Sequence, residues 1–154
     1  MNVERELNSI LELERTARIM VKQVSGLRSS YSIAAPATDQ EFVSHSQGID
    51  PIGKFVSAID EAERRLDEVI DRLVDLKRKM SDLINLLPDY QERLFLSERY
   101  IAIMDTEAIA NENGVSRRWV NEVLRSARKH LQAVVDEKNF ITSPEFPKVP
   151  HNVC

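Results

Sequence analysis

The sequence predicts an all-α protein, in which a long antiparallel coiled-coil-like helical hairpin is followed by a three-helix helix-turn-helix module. Three observations lead to this prediction. Apolar residues recur at every third or fourth position from Ile59 to Leu87, which is the period of an amphipathic helix. The chain of 154 residues contains only 4 glycines, so few positions interrupt a helix. Residues 106–124, TEAIANENGVSRRWVNEVL, have the spacing of two helices joined by a glycine turn.

The first predicted helix runs from about Val3 to Val24 and carries an apolar seam. The residues follow one another in steps of three and four, and the seam is interrupted only by Glu14. Leu11, Leu13 and Met20 widen the stripe, so we expect this helix to contact more than one neighbouring element. The predicted seam residues are Val3, Leu7, Ile10, Ala17, Val21 and Val24.

Residues 25–53 have no helical period and are expected to form a mobile loop. The stretch is rich in serine and contains glycine and proline, and a connection of this length is typically mobile or functional. A short ordered piece is expected around Glu41 to Val43. Asp50 followed by Pro51 predicts a helix start, because aspartate accepts a hydrogen bond at the N-cap and proline suits the first helical position.

The second helix has the clearest seam in the sequence. Acid-before-base pairs four residues apart, such as Glu61 and Arg65, each support a helix by roughly 0.2–0.5 kcal/mol. Ile70 and Ile84 lie beside the seam and widen the buried stripe. Pro88 ends the helix, because proline lacks an N–H donor and disfavours helical geometry at the residue before it. The expected partner of the seam is the first helix folded back antiparallel, or a second copy of the protein. The seam consists of Ile59, Ala62, Leu66, Val69, Leu73, Leu76, Met80, Leu83 and Leu87.

Three further helices are predicted after Pro88, over about Asp89–Met104, Thr106–Asn113 and Ser116–Asp136. Three prolines in the last sixteen residues predict a flexible tail over residues 139–154. The predicted domains are therefore a hairpin for oligomerisation or partner docking at residues 1–87 and a DNA-binding module at residues 88–138.

The predicted helix-turn-helix depends on small and apolar residues at fixed spacing. Ala110 lets the two helices approach closely, Gly114 turns the chain, and Val120 and Val123 bury the inner face of the second helix. Asn113 occupies a position where an apolar residue is usual. The alternative interpretation is a three-helix bundle that makes no DNA contact and whose turn is Asn-Gly.

The outward face of the second helix carries side chains that can read DNA. Arginine and asparagine make paired hydrogen bonds to guanine and adenine edges, and a serine cap leaves backbone N–H groups that can hold a phosphate. The formal net charge is −4, yet residues 116–132 carry five basic side chains and one acidic side chain, a local charge of +4. The predicted DNA-binding residues are Thr106, Ser116, Arg117, Arg118, Asn121, Glu122, Arg125, Arg128 and Lys129.

Two residues of this helix have two interpretations each. Trp119 either packs at the rim of the bundle, which we favour, or contacts a sugar or a thymine methyl group. Glu122 either pairs with Arg118 or Arg125 along the helix, which we favour, or accepts a hydrogen bond from a cytosine amino group.

Enzymatic, metal-binding and membrane functions are not expected. His45, His130 and His151 are scattered without a carboxylate or thiol at metal-ligand spacing, and no glycine loop suits a phosphate. The single cysteine, Cys154, excludes an intramolecular disulfide and suits a reducing compartment. No apolar stretch has the length of a signal peptide or of a membrane span of about 20 residues. We therefore expect a cytoplasmic protein with no catalytic residue, metal or cofactor.

Residues 97–131, SERYIAIMDTEAIANENGVSRRWVNEVLRSARKHL, resemble sigma-70 region 4, the promoter-reading helix-turn-helix of bacterial sigma factors. A longer stretch, residues 48–132, is similar to small phage and prophage proteins of Gram-positive bacteria that are related to the ArpU and RinA late-gene regulators. That family has a Leu-x-x-Leu-Lys/Arg segment in the helix before the module. Asp105-Thr106 stands where the family usually has Ser-Trp, a departure that concerns helix packing more than DNA binding. The matching segment consists here of Leu73, Leu76, Lys77 and Arg78.

The resemblance implies a transcriptional regulator of phage or prophage genes in a bacterial host cell. Because the chain is too short to hold the other modules of a complete sigma factor, we expect an activator or accessory factor. Its expected partners are double-stranded DNA and RNA polymerase, which it would recruit directly or as an operator-bound homodimer. One alternative is a subunit that recognises phage DNA for packaging, and another is a protein that uses the helix-turn-helix only as a protein interface. The order of the segments, with the DNA module last, favours the regulator.

Overall fold

The protein is all-α, as predicted. The computed structural model describes residues 1–34 and 51–142, and the side chains of 1–33 and 51–139. Within these ranges there is no strand. A π-helical turn, Ser97–Ile101, directly follows the third helix. The five α-helices are α1 (Val3–Ala34), α2 (Pro51–Ile84), α3 (Tyr90–Leu96), α4 (Thr106–Asn113) and α5 (Arg117–Thr142).

The described residues divide into two compact units. The described residues 9–34 and 51–76 form the two-helix unit, and residues 1–8 together with residues 77–142 form the carboxy-terminal unit.

Helix α1 is at least ten residues longer than the sequence predicts, since it runs to Ala34, the last described residue of this segment, and not only to Val24. The prediction of a loop from residue 25 is therefore wrong for residues 25–34. Leu27 and Tyr31 are half-buried and extend the apolar stripe, while the Ser32 hydroxyl donates to the carbonyl of Arg28 inside the helix (3.0 Å). The partial burial of Leu27 and Tyr31 offsets the cost of a helical glycine at residue 26, which is about 1 kcal/mol.

The rest of the predicted loop, with the expected ordered piece at residues 41–43 and the cap at residue 50, lies outside the described residues. The first described residue of the second segment, Pro51, is already helical, in agreement with the predicted start. The loop prediction is also wrong for residues 51–53, because the proline opens the helix there.

The apolar stripe of α1 differs from the predicted seam at one position. Val21 is 51% exposed, whereas Leu13 and Met20 are half-buried. The stripe in the two-helix unit therefore includes the flanking apolar residues Leu13 and Met20 and leaves out Val21, a choice that period alone leaves open. It consists of Ile10, Leu13, Ala17, Met20, Val24, Leu27 and Tyr31.

None of the nine predicted seam positions is exposed, six are half-buried, and Leu73, Met80 and Leu87 are buried. Helix α2 ends at Ile84, four residues before Pro88, so Leu87 lies beyond the helix that the sequence predicts to include it. The predicted pair Glu61–Arg65 forms an ion pair on the solvent side of the helix. Arg28 of α1 and Glu63 of α2 also form an ion pair, which joins the second half of α1 to the first half of α2, as expected for antiparallel helices.

The single helix predicted over residues 89–104 is shorter and less regular than expected. Asp89 caps α3 by accepting from the N–H of Glu92 (2.9 Å), and helical structure ends at Ile101. Ile103 has a φ of 59°, a left-handed conformation that costs a β-branched residue about 1–2 kcal/mol. The N–H of Met104 then donates to the carbonyl of Glu98 (2.9 Å), which closes the end of the helix.

The core of the carboxy-terminal unit includes the first residues of the chain. The Gln132 side chain holds them, because its amide oxygen accepts from the N–H of Val3 (2.8 Å) and its amide nitrogen donates to the carbonyl of Met1 (3.0 Å). The buried apolar residues of this unit are Val3, Leu7, Met80, Ile84, Leu87, Phe95, Leu96, Tyr100, Ile109, Ala110, Val120, Val123, Leu124, Ala127, Leu131 and Val135.

Helix α5 continues to Thr142, six residues beyond the predicted end at Asp136. Residues 139–142, predicted as the start of the flexible tail, are therefore helical. No proline or glycine lies between Asp136 and Pro144, and only the residue before Pro144 is disfavoured in a helix. The remainder of the predicted tail lies outside the described residues.

Candidate nucleic-acid interface

Gly114 and Ser116 make the connection between α4 and α5 in the way the sequence predicts. Gly114 has a φ of 65° and its N–H donates to the carbonyl of Ala110, so the chain leaves α4 in a left-handed conformation that glycine adopts without strain. The Ser116 hydroxyl accepts from the N–H of Trp119 (3.1 Å), and the Ser116 carbonyl accepts from the N–H of Val120 (3.1 Å). Ser116 is thus the N-cap of α5.

The inner faces of α4 and α5 pack against each other. Ile109 and Ala110 of α4 are buried, and so are Val120, Val123 and Leu124 of α5. The first two turns of α5 are therefore fixed from one side, which leaves the opposite side to solvent.

The solvent side of α5 carries a shallow open groove, which we call the arginine groove. Its lining residues, Arg117, Arg118, Asn121, Glu122 and Arg125, are all exposed. Five of the nine predicted DNA-binding residues thus share one surface. They do so because residues four apart, such as Arg117, Asn121 and Arg125, lie one above another on a helix.

The arginine groove is strongly basic. Arg118 pairs with Glu122 (Nε to Oε1, 3.3 Å), with both side chains at least half exposed, so the favoured interpretation of Glu122 as a pairing residue agrees with the structure. Such a pair stabilises a helix by only about 0.3–0.5 kcal/mol. The guanidinium groups of Arg117 and Arg125 form no hydrogen bond or ion pair with any residue that the structure describes, so their charge is available to a ligand.

The other four predicted DNA-binding residues lie outside the arginine groove. Ser116 caps α5, and Lys129 is exposed farther along the helix. Thr106 is half-buried at the start of α4, whose N-cap is Asp105. Arg128 is half-buried and donates to the hydroxyl of Tyr100 (3.3 Å), so it packs against the π-helical turn instead of facing the groove.

Trp119 lies at the edge between the buried and the exposed faces of α5. Trp119 is 44% exposed, so it is not part of the buried core. It is also not among the residues that line the arginine groove.

Asn113 departs from the apolar pattern for a local reason. Its half-buried side-chain nitrogen donates to a carboxylate oxygen of Glu98 (2.9 Å) and to the carbonyl of Ile109 (2.9 Å). The amide therefore links α4 to the π-helical turn. Because its nitrogen has hydrogen-bond acceptors, the partial burial of this polar group does not leave an unsatisfied donor.

A polar cluster around the buried carboxylate of Glu92 joins α3 to α5, and no local sequence pattern predicts it. Glu92 is only 8% exposed. Its carboxylate accepts from the hydroxyl of Ser126 (3.0 Å) and contacts Nδ1 of His130 (2.8 Å). Because the partners are 34 and 38 residues away from Glu92, no local pattern reveals them. The cluster fixes α3 to the middle of α5, behind the arginine groove.

The described residues also bear on metal binding and on membrane crossing. No group of three or more histidine, cysteine, aspartate or glutamate side chains converges on a metal position within residues 1–33 and 51–139. None of the helices described has an apolar stretch of the length that a bilayer crossing requires.

Comparisons with protein-family models, with curated proteins and with solved structures each returned no match. The resemblance to sigma-70 region 4 and to the late-gene regulators therefore stays an expectation from the sequence.

Proposed function

We propose that the protein is a sequence-specific DNA-binding transcriptional regulator that places the outer face of α5 in the major groove. The observation that carries this proposal is the arginine groove. Its side chains are the types that read base edges, and they project from the first turns of a helix whose opposite side is buried. The major groove of B-DNA admits one α-helix, and the amino-terminal residues of a recognition helix are those that reach the bases.

The distribution of charge supports a local contact with DNA. The whole chain has a formal net charge of −4, so it would not coat nucleic acid by bulk attraction. Residues 116–132 instead concentrate a charge of +4, and Arg117 and Arg125 are not neutralised by any described residue. Binding to this surface would release counterions from the DNA, which makes the affinity dependent on salt.

The geometry suggests distinct roles for the residues around the arginine groove. In this proposal Arg117, Arg118 and Asn121 would contact base edges, and Glu122 would hold Arg118 in position before DNA arrives. Lys129, farther from the helix start, would contact a phosphate, as would the backbone N–H groups next to Ser116.

The regulatory part of the proposal rests on the sequence resemblance. We propose an activator or accessory factor of phage or prophage genes, acting in the cytoplasm of the bacterial host. It would recruit RNA polymerase to the DNA site that α5 selects.

The experiment is a selection from a random duplex library with the purified full-length protein, followed by affinity measurements on the selected duplex. Arg118→Ala and Asn121→Ala are each expected to weaken specific binding by about 1–3 kcal/mol, because each removes a base-edge contact. Arg64→Ala removes an exposed arginine of α2 and serves as the control, with unchanged affinity expected. If both α5 variants bind the selected duplex like the wild type, α5 does not read the sequence.

A further inference from the structure

The described part of the two-helix unit, residues 9–33 and 51–76, buries few apolar side chains for its length. Among its described residues, only Ile10, Ala17, Val24 and Leu73 are buried apolar residues. Two helices cannot enclose a seam between them, and helical proteins normally add a second layer. Six large aliphatic side chains of the unit are at least 39% exposed, namely Ile19, Val21, Ile33, Val56, Ile70 and Val74.

The ion pair between Arg28 and Glu63 shows which of these residues lie side by side. In antiparallel helices, a step of one heptad back along α1 and one heptad forward along α2 leads from this pair to Val21 and Ile70. Val74 follows Ile70 by one helical turn. These three side chains, 51%, 39% and 46% exposed, form an apolar surface along one edge of the unit, which we call the edge patch.

The charges beside the edge patch differ between the two helices. On the α1 side lie Arg18 and Lys22, and on the α2 side lie Asp67 and Asp71, all exposed. Arg18 also contacts Glu14 of its own helix (3.6 Å). Apart from Glu14, the charged groups beside the edge patch are thus basic along α1 and acidic along α2.

We propose that the edge patch docks against the same patch of a second copy of this chain, so that two two-helix units form a four-helix bundle. A two-fold axis parallel to the helices places α1 of one copy opposite α2 of the other, at the same level. Val21 then packs on Ile70 of the second copy, and Lys22 faces Asp71 of the second copy. Because of the two-fold symmetry, each of these contacts occurs twice in the dimer.

The charge pattern favours this arrangement over the other two-fold arrangement. An axis perpendicular to the helices would place α1 against α1 and α2 against α2, which opposes like charges and disfavours that arrangement. The inference does not depend on DNA binding, since the edge patch and the arginine groove belong to different units.

The first test is the mass of the full-length protein in solution, measured by light scattering without DNA over a range of concentrations. The wild type is expected at twice the chain mass of 17.7 kDa. Val21→Glu is expected to raise the dimer dissociation constant by about 100-fold or more, because the dimer would bury two unpaired carboxylates. Ile19→Glu is the matched control. Ile19 is 53% exposed but lies on the far side of α1, so this variant is expected to remain dimeric.

The second test reverses the charges. Lys22→Glu and Asp71→Lys are each expected to weaken the dimer, and the double variant is expected to restore it, because each contact regains opposite charges. Circular dichroism checks that every variant keeps its helical content, as expected for substitutions at exposed positions. A monomeric wild type would overturn the proposal, and so would a dimer that Val21→Glu leaves unchanged. Failure of the double variant to recover would overturn the two-fold arrangement.

Discussion

Replacement of Gly114 by alanine isolates the conformational cost of the turn between α4 and α5. A Cβ at this position would meet no heavy atom within 4 Å, yet φ is +65°. The substitution therefore introduces no clash and only forces alanine into the left-handed region, at a cost of about 1–2 kcal/mol. We expect Gly114→Ala to lower the free energy of unfolding by that amount.

Gly26 provides a matched control with the opposite sign. It lies inside α1, its φ is not positive, and a Cβ there would also meet nothing within 4 Å. Gly26→Ala is expected to raise the free energy of unfolding by about 0.5–1 kcal/mol, because glycine is the poorer helix former. The same change from glycine to alanine is thus expected to stabilise α1 and to destabilise the turn between α4 and α5.

Urea unfolding followed by circular dichroism measures both variants. The midpoint should fall for Gly114→Ala and rise for Gly26→Ala, with unchanged slopes if only the native state is affected. Gly114→Asn should lie between wild type and alanine, because asparagine tolerates left-handed geometry better than alanine does. A Gly114→Ala protein as stable as the wild type would refute the assignment of a left-handed turn at this residue.

Four further outcomes are expected. Leu73→Asp should cost several kcal/mol in urea unfolding, because Leu73 is 7% exposed and its site would hold an unpaired charge; a wild-type midpoint would contradict the burial of the seam. Glu92→Ala should lower the free energy of unfolding by about 1–3 kcal/mol in the same assay, and Ser126→Ala should lower it by less, because Glu92 has more than one partner in the cluster. Equal losses for the two variants would contradict the central position of Glu92. Lys129→Ala should weaken binding to all duplexes alike and reduce the salt slope by about one, as loss of a phosphate contact does; an unchanged slope would contradict a phosphate contact. A fragment of residues 88–138 should unfold at a lower temperature than the full chain and should therefore bind DNA weakly. Equal thermal midpoints for the fragment and the full chain would contradict the assignment of earlier residues to the core of the carboxy-terminal unit. The fragment lacks five side chains that are at most 1% exposed in the carboxy-terminal unit: Val3, Leu7, Met80, Ile84 and Leu87.

The features that the sequence predicts best are those set by a few neighbouring residues. The start of α2 at Pro51, the seam around Leu73, the turn at Gly114 and the cap at Ser116 each follow from local backbone preferences or from helical period. The positions of the arginine groove follow from the same period, because burial of Val120 fixes which side of α5 faces solvent.

The features that the sequence does not predict depend on contacts between distant residues. The wide apolar stripe of α1 admits two seams, and packing selects Met20 over Val21. The π-helical turn and the strained Ile103 break a pattern that reads as one continuous helix. The sequence predicts too short an α1 because serine and Gly26 lower helix propensity, which tertiary contacts override.

A second selection with Asn121→Ala tests the central claim, that α5 reads DNA sequence, most directly. The wild-type selection defines the base preference at each position of the site. If Asn121 contacts one base edge, the variant should lose the preference at one position and keep the preferences elsewhere, since base-pair contributions at separated positions are roughly additive. A variant that selects the same sequence with the same preference at every position would contradict the claim, as would a wild-type protein that enriches no sequence.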